Sequence, residues 1–127
     1  MIVTIRAGSC IQIKSSINNE WHPYIVITEP SGNPLEVVVV NLTEYKEGID
    51  ESAVFEIGDH PEIAKKSMIN YFDARIARVD RLQSHIDENR HRLKADCSQQ
   101  MLGKIHKGFK KSKAVNPKIR AFCEGKF

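Results

Sequence analysis

The stretch Leu35-Glu36-Val37-Val38-Val39-Val40-Asn41-Leu42-Thr43 decides how the rest of the chain is read. Four successive valines carry no helical period, and their branched side chains favour extended backbone. An apolar run without alternation marks a strand covered on both faces or enclosed in a barrel. This segment is therefore the expected central strand.

Working back from it, Tyr24-Ile25-Val26-Ile27-Thr28 is a second β-branched run, separated from the first by the turn residues Glu29-Pro30-Ser31-Gly32-Asn33-Pro34. Cys10 to Ile13 alternates weakly. Working forward, a polar loop containing Gly48 leads to the strand-like Ala53-Val54-Phe55-Glu56-Ile57, halted by the turn Gly58-Asp59-His60-Pro61. Residues 67–77 alternate, with Met68, Asn70, Phe72 and Ala74 on one side and Ile69, Tyr71, Asp73 and Arg75 on the other. Connections this short leave no room for crossover helices, so the strands predict an antiparallel β-barrel.

After Arg78 the period changes. Asp80 followed by Gln83 has the form of a capping box, and Leu82 and Ile86 are helical neighbours. From Asp96 a second helix is predicted, its apolar stripe Met101, Leu102, Ile105 and Phe109 set against lysines. Asn116-Pro117 offers an N-cap followed by proline at the first helical position, Ile119 and Phe122 anchor a last helix, and Gly125 ends it. The expected fold is mainly β with C-terminal helices (α+β): one domain over 1–127, with a small antiparallel β-barrel in 1–77 and two or three short helices in 78–127.

A chain of 127 residues with 41% hydrophobic and 28% charged residues has the composition of a globular domain with one core, not of a disordered or fibrous protein. The longest apolar run is far shorter than the roughly 20 residues that cross a bilayer, and Met1-Ile2-Val3-Thr4-Ile5-Arg6 lacks the form of a secretory signal. A cytoplasmic protein without membrane contact is expected. Cys10, Cys97 and Cys123 are an odd set with no Cys-x-x-Cys pair, so reduced, structural cysteines are expected and no zinc knuckle. Charge is segregated: residues 1–77 hold six Lys and Arg against eleven Asp and Glu, a net −5, whereas residues 78–127 hold thirteen against five, a net +8. Such a division fits an anionic partner at the helical end, basic helices docking on an acidic barrel of the same or a partner chain, or equally a solvated helix face.

Three places carry residues suited to chemistry. His22, between Trp21 and Pro23, opens the strand at 24–28, and its ordinary pKa near 6.5 suits proton transfer; packing against Trp21 would explain it equally. Asn41 and Thr43 interrupt the apolar central strand near its end, where a threonine binds an oxyanion or simply satisfies a neighbouring backbone group. His60 follows Asp59 in a tight turn, and two histidines could divide the work of base and acid. His85, His91 and His106 lack metal-ligand spacing, so no metal is expected. No phosphate-binding loop, dinucleotide fingerprint or nucleophile elbow occurs, and no cofactor is expected.

Taken in order, Arg6-Ala7-Gly8 leading into a strand at 9–14, His22-Pro23 before Tyr24-Ile25-Val26-Ile27, Val38-Val39-Val40-Asn41-Leu42-Thr43, Ser67-Met68-Ile69 and Arg75-Ile76-Ala77-Arg78-Val79-Asp80-Arg81-Leu82 resemble the MazF/PemK-like toxins of bacterial toxin–antitoxin systems. The resemblance covers most of the chain and implies an SH3-like barrel followed by helices, metal-free endoribonuclease activity, a homodimer and a cognate antitoxin protein. The family's catalytic arginine, placed before the proline of the second strand, aligns with His22, and its threonine with Thr43. Its glycine-rich loop aligns with Ser15-Ser16-Ile17-Asn18-Asn19-Glu20-Trp21, which has no glycine.

Cleaving RNA without a metal requires a base for the 2′-hydroxyl, an acid for the 5′-oxygen and donors for the phosphate. Histidine serves the first two tasks but lacks arginine's permanent charge and bidentate fork. The resulting expectation has His22 as general acid and base, Thr43 on the phosphate and His60 as partner. Lys14, Trp21, Asn41, Ser67 and Tyr71 would contact single-stranded RNA, with the two aromatics as stacking platforms. The alternatives are a non-catalytic SH3-like module that binds protein or nucleic acid, which the net negative charge of 1–77 favours, and a structural component of a phage or mobile element.

Overall fold

The computed structural model describes residues 4–127, so Met1, Ile2 and Val3, which begin the N-terminus read as free of a secretory signal, lie outside the described residues. The elements in order are β1 (Cys10–Lys14), β2 (Trp21–Val26), β3 (Glu36–Glu44), β4 (Val54–Phe55), β5 (Ser67–Arg78), α1 (Val79–Asp87), β6 (His91–Lys94), α2 (Gln99–Lys111) and α3 (Pro117–Cys123). The strands form one sheet in the order β4-β5-β3-β2-β1-β6, antiparallel at every pairing. The architecture is α+β, a six-stranded antiparallel sheet with three short helices. No helix among the described residues is long and apolar enough to cross a membrane.

Strand β3 is central, and it is buried on both faces. Successive side chains of a strand point to opposite faces. Val38, Val40 and Leu42 accordingly join one core with Ile25, Ile27, Phe55, Ile69 and Tyr71, whereas Val37 and Val39 join another with Ile11, Tyr24 and Val26. Each face needs a cover. Met101, Ile105 and Phe109 of α2 and Ile119 and Cys123 of α3 close the first core, and Val79 and Leu82 of α1 close the second. Fully burying one such aliphatic side chain is worth about 1.5–3 kcal/mol, so the valine run is what binds both helical layers to the sheet.

The alternation expected along 67–77 breaks in the middle. Val39 pairs with Arg75 but Asn41 pairs with Asn70, so residues 71–74 all stand opposite Val40. This irregularity bends β5 and turns Ala74 into the same core as Tyr71, while Phe72, expected to share a side with Ala74, is 81% exposed.

Helix α2 approaches this bend closely. A Cβ on Gly108 would collide with the Tyr71 hydroxyl and stand 2.8 Å from the Ser52 carbonyl oxygen. The Tyr71 hydroxyl donates to the Ile105 carbonyl at 2.6 Å, and Ser112 at the helix end donates to the Asp50 carboxylate. Glycine at 108 is thus a packing requirement where the helix meets the sheet.

Several local expectations are corrected. Residues 78–127 are not all helical, because β6 adds to the free edge of β1, with Ile11 opposite Leu93 and Ile13 opposite His91. The Asp80–Gln83 capping box does not form: α1 is capped at Arg78, and the Asp80 carboxylate binds the Arg78 guanidinium instead. Helix α2 starts after Ser98, whose hydroxyl accepts from Met101 N, rather than at Asp96, since Cys97 N is engaged by the Gly8 carbonyl. Only Val54 and Phe55 of the expected strand 53–57 pair, because Glu56 N is drawn into a turn by the Asp59 carboxylate. The end of the chain follows expectation: Asn116 caps α3 with Pro117 behind it, and Gly125 beyond the helix takes φ 76°.

His106 of α2 gives its Nε2 proton to the Ile27 carbonyl at 2.7 Å and stacks on Phe127 with ring centres 4.0 Å apart. Burial lowers its pKa below the ordinary 6.5, the Ile27 carbonyl works the other way, and Lys110 adds to the depression. The unfolded chain therefore binds this proton more readily than the folded one, and stability should fall as pH drops from 6.5 towards the folded value. Urea midpoints measured across that range should decline on acidification, and less so for His106→Gln. Gly108→Ala should cost about 2 kcal/mol despite alanine's better helix propensity, because the added methyl overpacks the helix against Tyr71. An unchanged urea midpoint for Gly108→Ala would refute that account.

Candidate functional site

An open groove of about 520 Å³ lies where β2, the end of β3, the loop before β5 and the start of β5 meet, and it gathers Trp21, His22, Thr43 and Ser67. These residues are far apart in sequence. Register explains their meeting: β2 and β3 are neighbours, Thr43 pairs with Met68, and Ser67 pairs with Glu44. His22 lies within β2 opposite Ile13, not in a loop entering it, because pairing with β1 begins at Trp21.

The groove also holds four residues that sequence reasoning did not single out: Glu20, Glu44, Glu62 and Lys65. Glu20 Oε2 stands 4.0 Å from His22 Nε2, and Lys65 Nζ is 3.1 Å from the Glu44 carboxylate. Glu62 accepts from Gln12 Nε2 at 2.5 Å. Three carboxylates against one paired lysine make the groove acidic. The net charge of residues 1–77 pointed to that sign, but only the folded loop places the carboxylates.

Thr43 makes no side-chain hydrogen bond among the described residues, which leaves its hydroxyl free for a ligand in the groove. Ser67 is nearly buried and donates to the Lys65 carbonyl at 2.8 Å, so it fixes the loop that carries Lys65. Trp21 is held between cations: the Arg92 guanidinium lies 4.1 Å from its ring centre and Lys14 Nζ 5.9 Å. Lys14 is thereby placed beside the groove, and Arg92 arrives on the unforeseen strand β6.

His60 and Tyr71 lie elsewhere. His60 is 3% exposed; its Nδ1 accepts from Glu62 N at 3.0 Å and its Nε2 donates to the Ala95 carbonyl at 2.7 Å. Both ring nitrogens are committed, so His60 ties the loop after β4 to the segment before α2 and has no proton to exchange with a substrate. Tyr71 is fully buried, bonded to Ile105 and edge-on to Phe109, and offers no face for a base. Burial pushes its hydroxyl far above the usual range. Asn41 joins a polar cluster instead of the groove: its amide donates to Tyr24 Oη at 3.4 Å, and Tyr24 donates to Asp73 at 2.9 Å. Burial opposes ionisation of Asp73, but bonds from Arg75 and Tyr24 outweigh it and hold the carboxyl low.

The three cysteines are free, and burial pushes Cys10 up to about 12 and Cys97 and Cys123 up to about 11. They remain thiols at neutral pH and are poor nucleophiles. Among the described residues no group of three or more His, Cys, Asp or Glu side chains is arranged to hold a metal ion.

Compared with known protein families and with curated proteins, the chain matches none.

His60→Ala should lower stability by about 2 kcal/mol, since it empties the space of a buried ring and removes its hydrogen bonds to the Ala95 carbonyl and from the Glu62 amide. Urea unfolding measures this directly, and a variant as stable as the wild type would remove the structural role assigned to His60.

Proposed function

We propose that the protein is a toxin-like endoribonuclease of the MazF/PemK type, in which the sheet closes as an SH3-like barrel and the groove at its rim cleaves single-stranded RNA without a metal. The observation that carries this reading is the convergence of His22, Thr43 and Lys65 on one open groove from separate parts of the chain.

In this reading the neutral His22 imidazole takes the proton of a ribose 2′-hydroxyl, and the 2′-oxygen forms a bond to phosphorus. As the bond from phosphorus to the 5′-oxygen breaks, the imidazolium returns a proton to the leaving oxygen. The products are a 2′,3′-cyclic phosphate and a 5′-hydroxyl. Glu20 stands beside the ring, 4.0 Å away, and the Thr43 hydroxyl and Lys65 ammonium face the charged phosphate oxygens. Arg92, held over Trp21, offers the permanent charge that histidine in the arginine's place lacks. A homodimer and an antitoxin that fills the groove belong to the same proposal.

A second reading has a specific observation behind it. Glu20, Glu44 and Glu62 give the groove a sign that repels phosphate and suits a lysine- or arginine-rich peptide, as in a non-catalytic SH3-like binding module.

Purified protein incubated with single-stranded RNA separates the two. Cleavage to cyclic-phosphate ends, lowered at least about 100-fold in His22→Ala with an unchanged melting temperature, is the expected result. The His22 side chain is 40% exposed, so its truncation should not unfold the protein. An inactive wild type, or a fully active His22→Ala, would overturn the ribonuclease reading; groove-dependent binding of a basic peptide without cleavage would establish the module instead.

A further inference from the structure

The second half of the chain carries a surface that the groove chemistry does not use. Residues 98–127 hold eight Lys and Arg against a single carboxylate side chain, Glu124. None of the eight forms an ion pair among the described residues. Lys104 and Arg120 are spent on the carbonyls of Val54 and Ser112. Lys107, Lys110, Lys111 and Lys118 are exposed, and the first three lie on the side of α2 turned away from its buried Met101, Ile105 and Phe109.

Next to this face is an apolar cavity of about 530 Å³ between the end of α2 and α3. Pro117, Ala121 and Phe127 contribute its apolar wall over the buried Phe109, and Lys110 and Arg120 stand in its lining with one carboxylate, Glu124. Lys110 therefore belongs both to the basic face and to the cavity. A run of lysines without carboxylate partners beside an apolar recess suits single-stranded nucleic acid, the cations for the backbone and the recess, with the partly exposed Phe127 ring in its wall, for an unstacked base.

We infer that the exposed face of α2 and α3, with this cavity, is a binding surface for single-stranded nucleic acid. An anionic membrane fits less well, because the apolar stripe of α2 is already consumed by the core and leaves nothing to insert. The surface stands apart from the groove and requires no cleavage.

The test uses the full chain and a fluorescent single-stranded oligonucleotide blocked by 2′-O-methyl groups, which cannot be cut. Binding followed by anisotropy should be tight at about 50 mM salt and fall steeply with added salt. The variant Lys107→Gln/Lys110→Gln/Lys111→Gln should bind at least about tenfold more weakly, and its log–log salt slope should shrink by about 2, near 0.7 for each phosphate left unneutralised. Arg81→Gln, which removes an exposed cation of α1 far along the chain from this surface, should bind like the wild type. Absence of binding at low salt, a triple variant that binds undiminished, or binding to phosphatidylserine vesicles that the oligonucleotide does not displace would each overturn the inference. If the triple variant loses binding while the wild type never cuts RNA, the surface stands and the groove ribonuclease falls. Cleavage that depends on His22, together with an undiminished triple variant, means the opposite: the groove ribonuclease stands and the surface falls.

Discussion

Strand β3 has apolar side chains on both faces, and a strand of that kind cannot lie at a surface. Val38, Val40 and Leu42 need a cover on one side and Val37 and Val39 on the other. A single sheet supplies neither. The chain meets the demand with α1 on one face and α2 and α3 on the other, so the helical half completes two cores that the strands leave open. Gly108 records how tightly the second cover fits, because the α2 backbone there lies against Tyr71 and Ser52 with no space for a methyl group. The groove lies where the constraint relaxes: past Leu42 the strand turns polar, and Thr43 faces the opening between β2 and the loop before β5.

The elements that were legible in the sequence are those whose pattern is determined locally. The valine run, the apolar stripe of α2 and the Asn116-Pro117 start of α3 each carry their own signal, and each forms. Strand β6 carries none. His91-Arg92-Leu93-Lys94 has one apolar residue, and it is a strand only because β1 has an unpaired edge to offer. The same distinction separates the site residues. His22 and Thr43 sit on neighbouring strands, so their approach follows from strand order. The fate of His60 depends on the Ala95 carbonyl, 35 residues further along, and no local pattern contains that bond. Tyr71 escapes a local reading for a related reason: strict alternation along β5 fails at the irregularity opposite Val40, which only pairing with β3 defines.

Charge segregation along the chain becomes a spatial division. Three carboxylates line the groove, and the unpaired lysines cluster on α2 and α3. A polyanion that reached this molecule would be drawn first to the helices, since attraction between a basic surface and a phosphate backbone operates over about a Debye length, roughly 10 Å at 0.1 M salt. The groove's own charge would hold the strand off until local contacts took over. Under the ribonuclease proposal, capture and chemistry would thus fall to different halves of the chain.

Strand β6 is where those halves meet. A sheet edge made of His91, Arg92 and Lys94 resists pairing with a further strand, which is reason enough for its charge. The same residues, however, follow directly on α1 and lead into the basic helices, and they cross beside β1 to set Arg92 over Trp21. A neutral β6 would cap the sheet equally well but would leave the Trp21 ring without its guanidinium, with Lys14 the cation that remains against it among the described residues. The edge strand that sequence patterns could not reveal is therefore the element through which the basic half reaches the groove, and the distribution of charge around Trp21 follows from its register rather than from residues 1–77 alone.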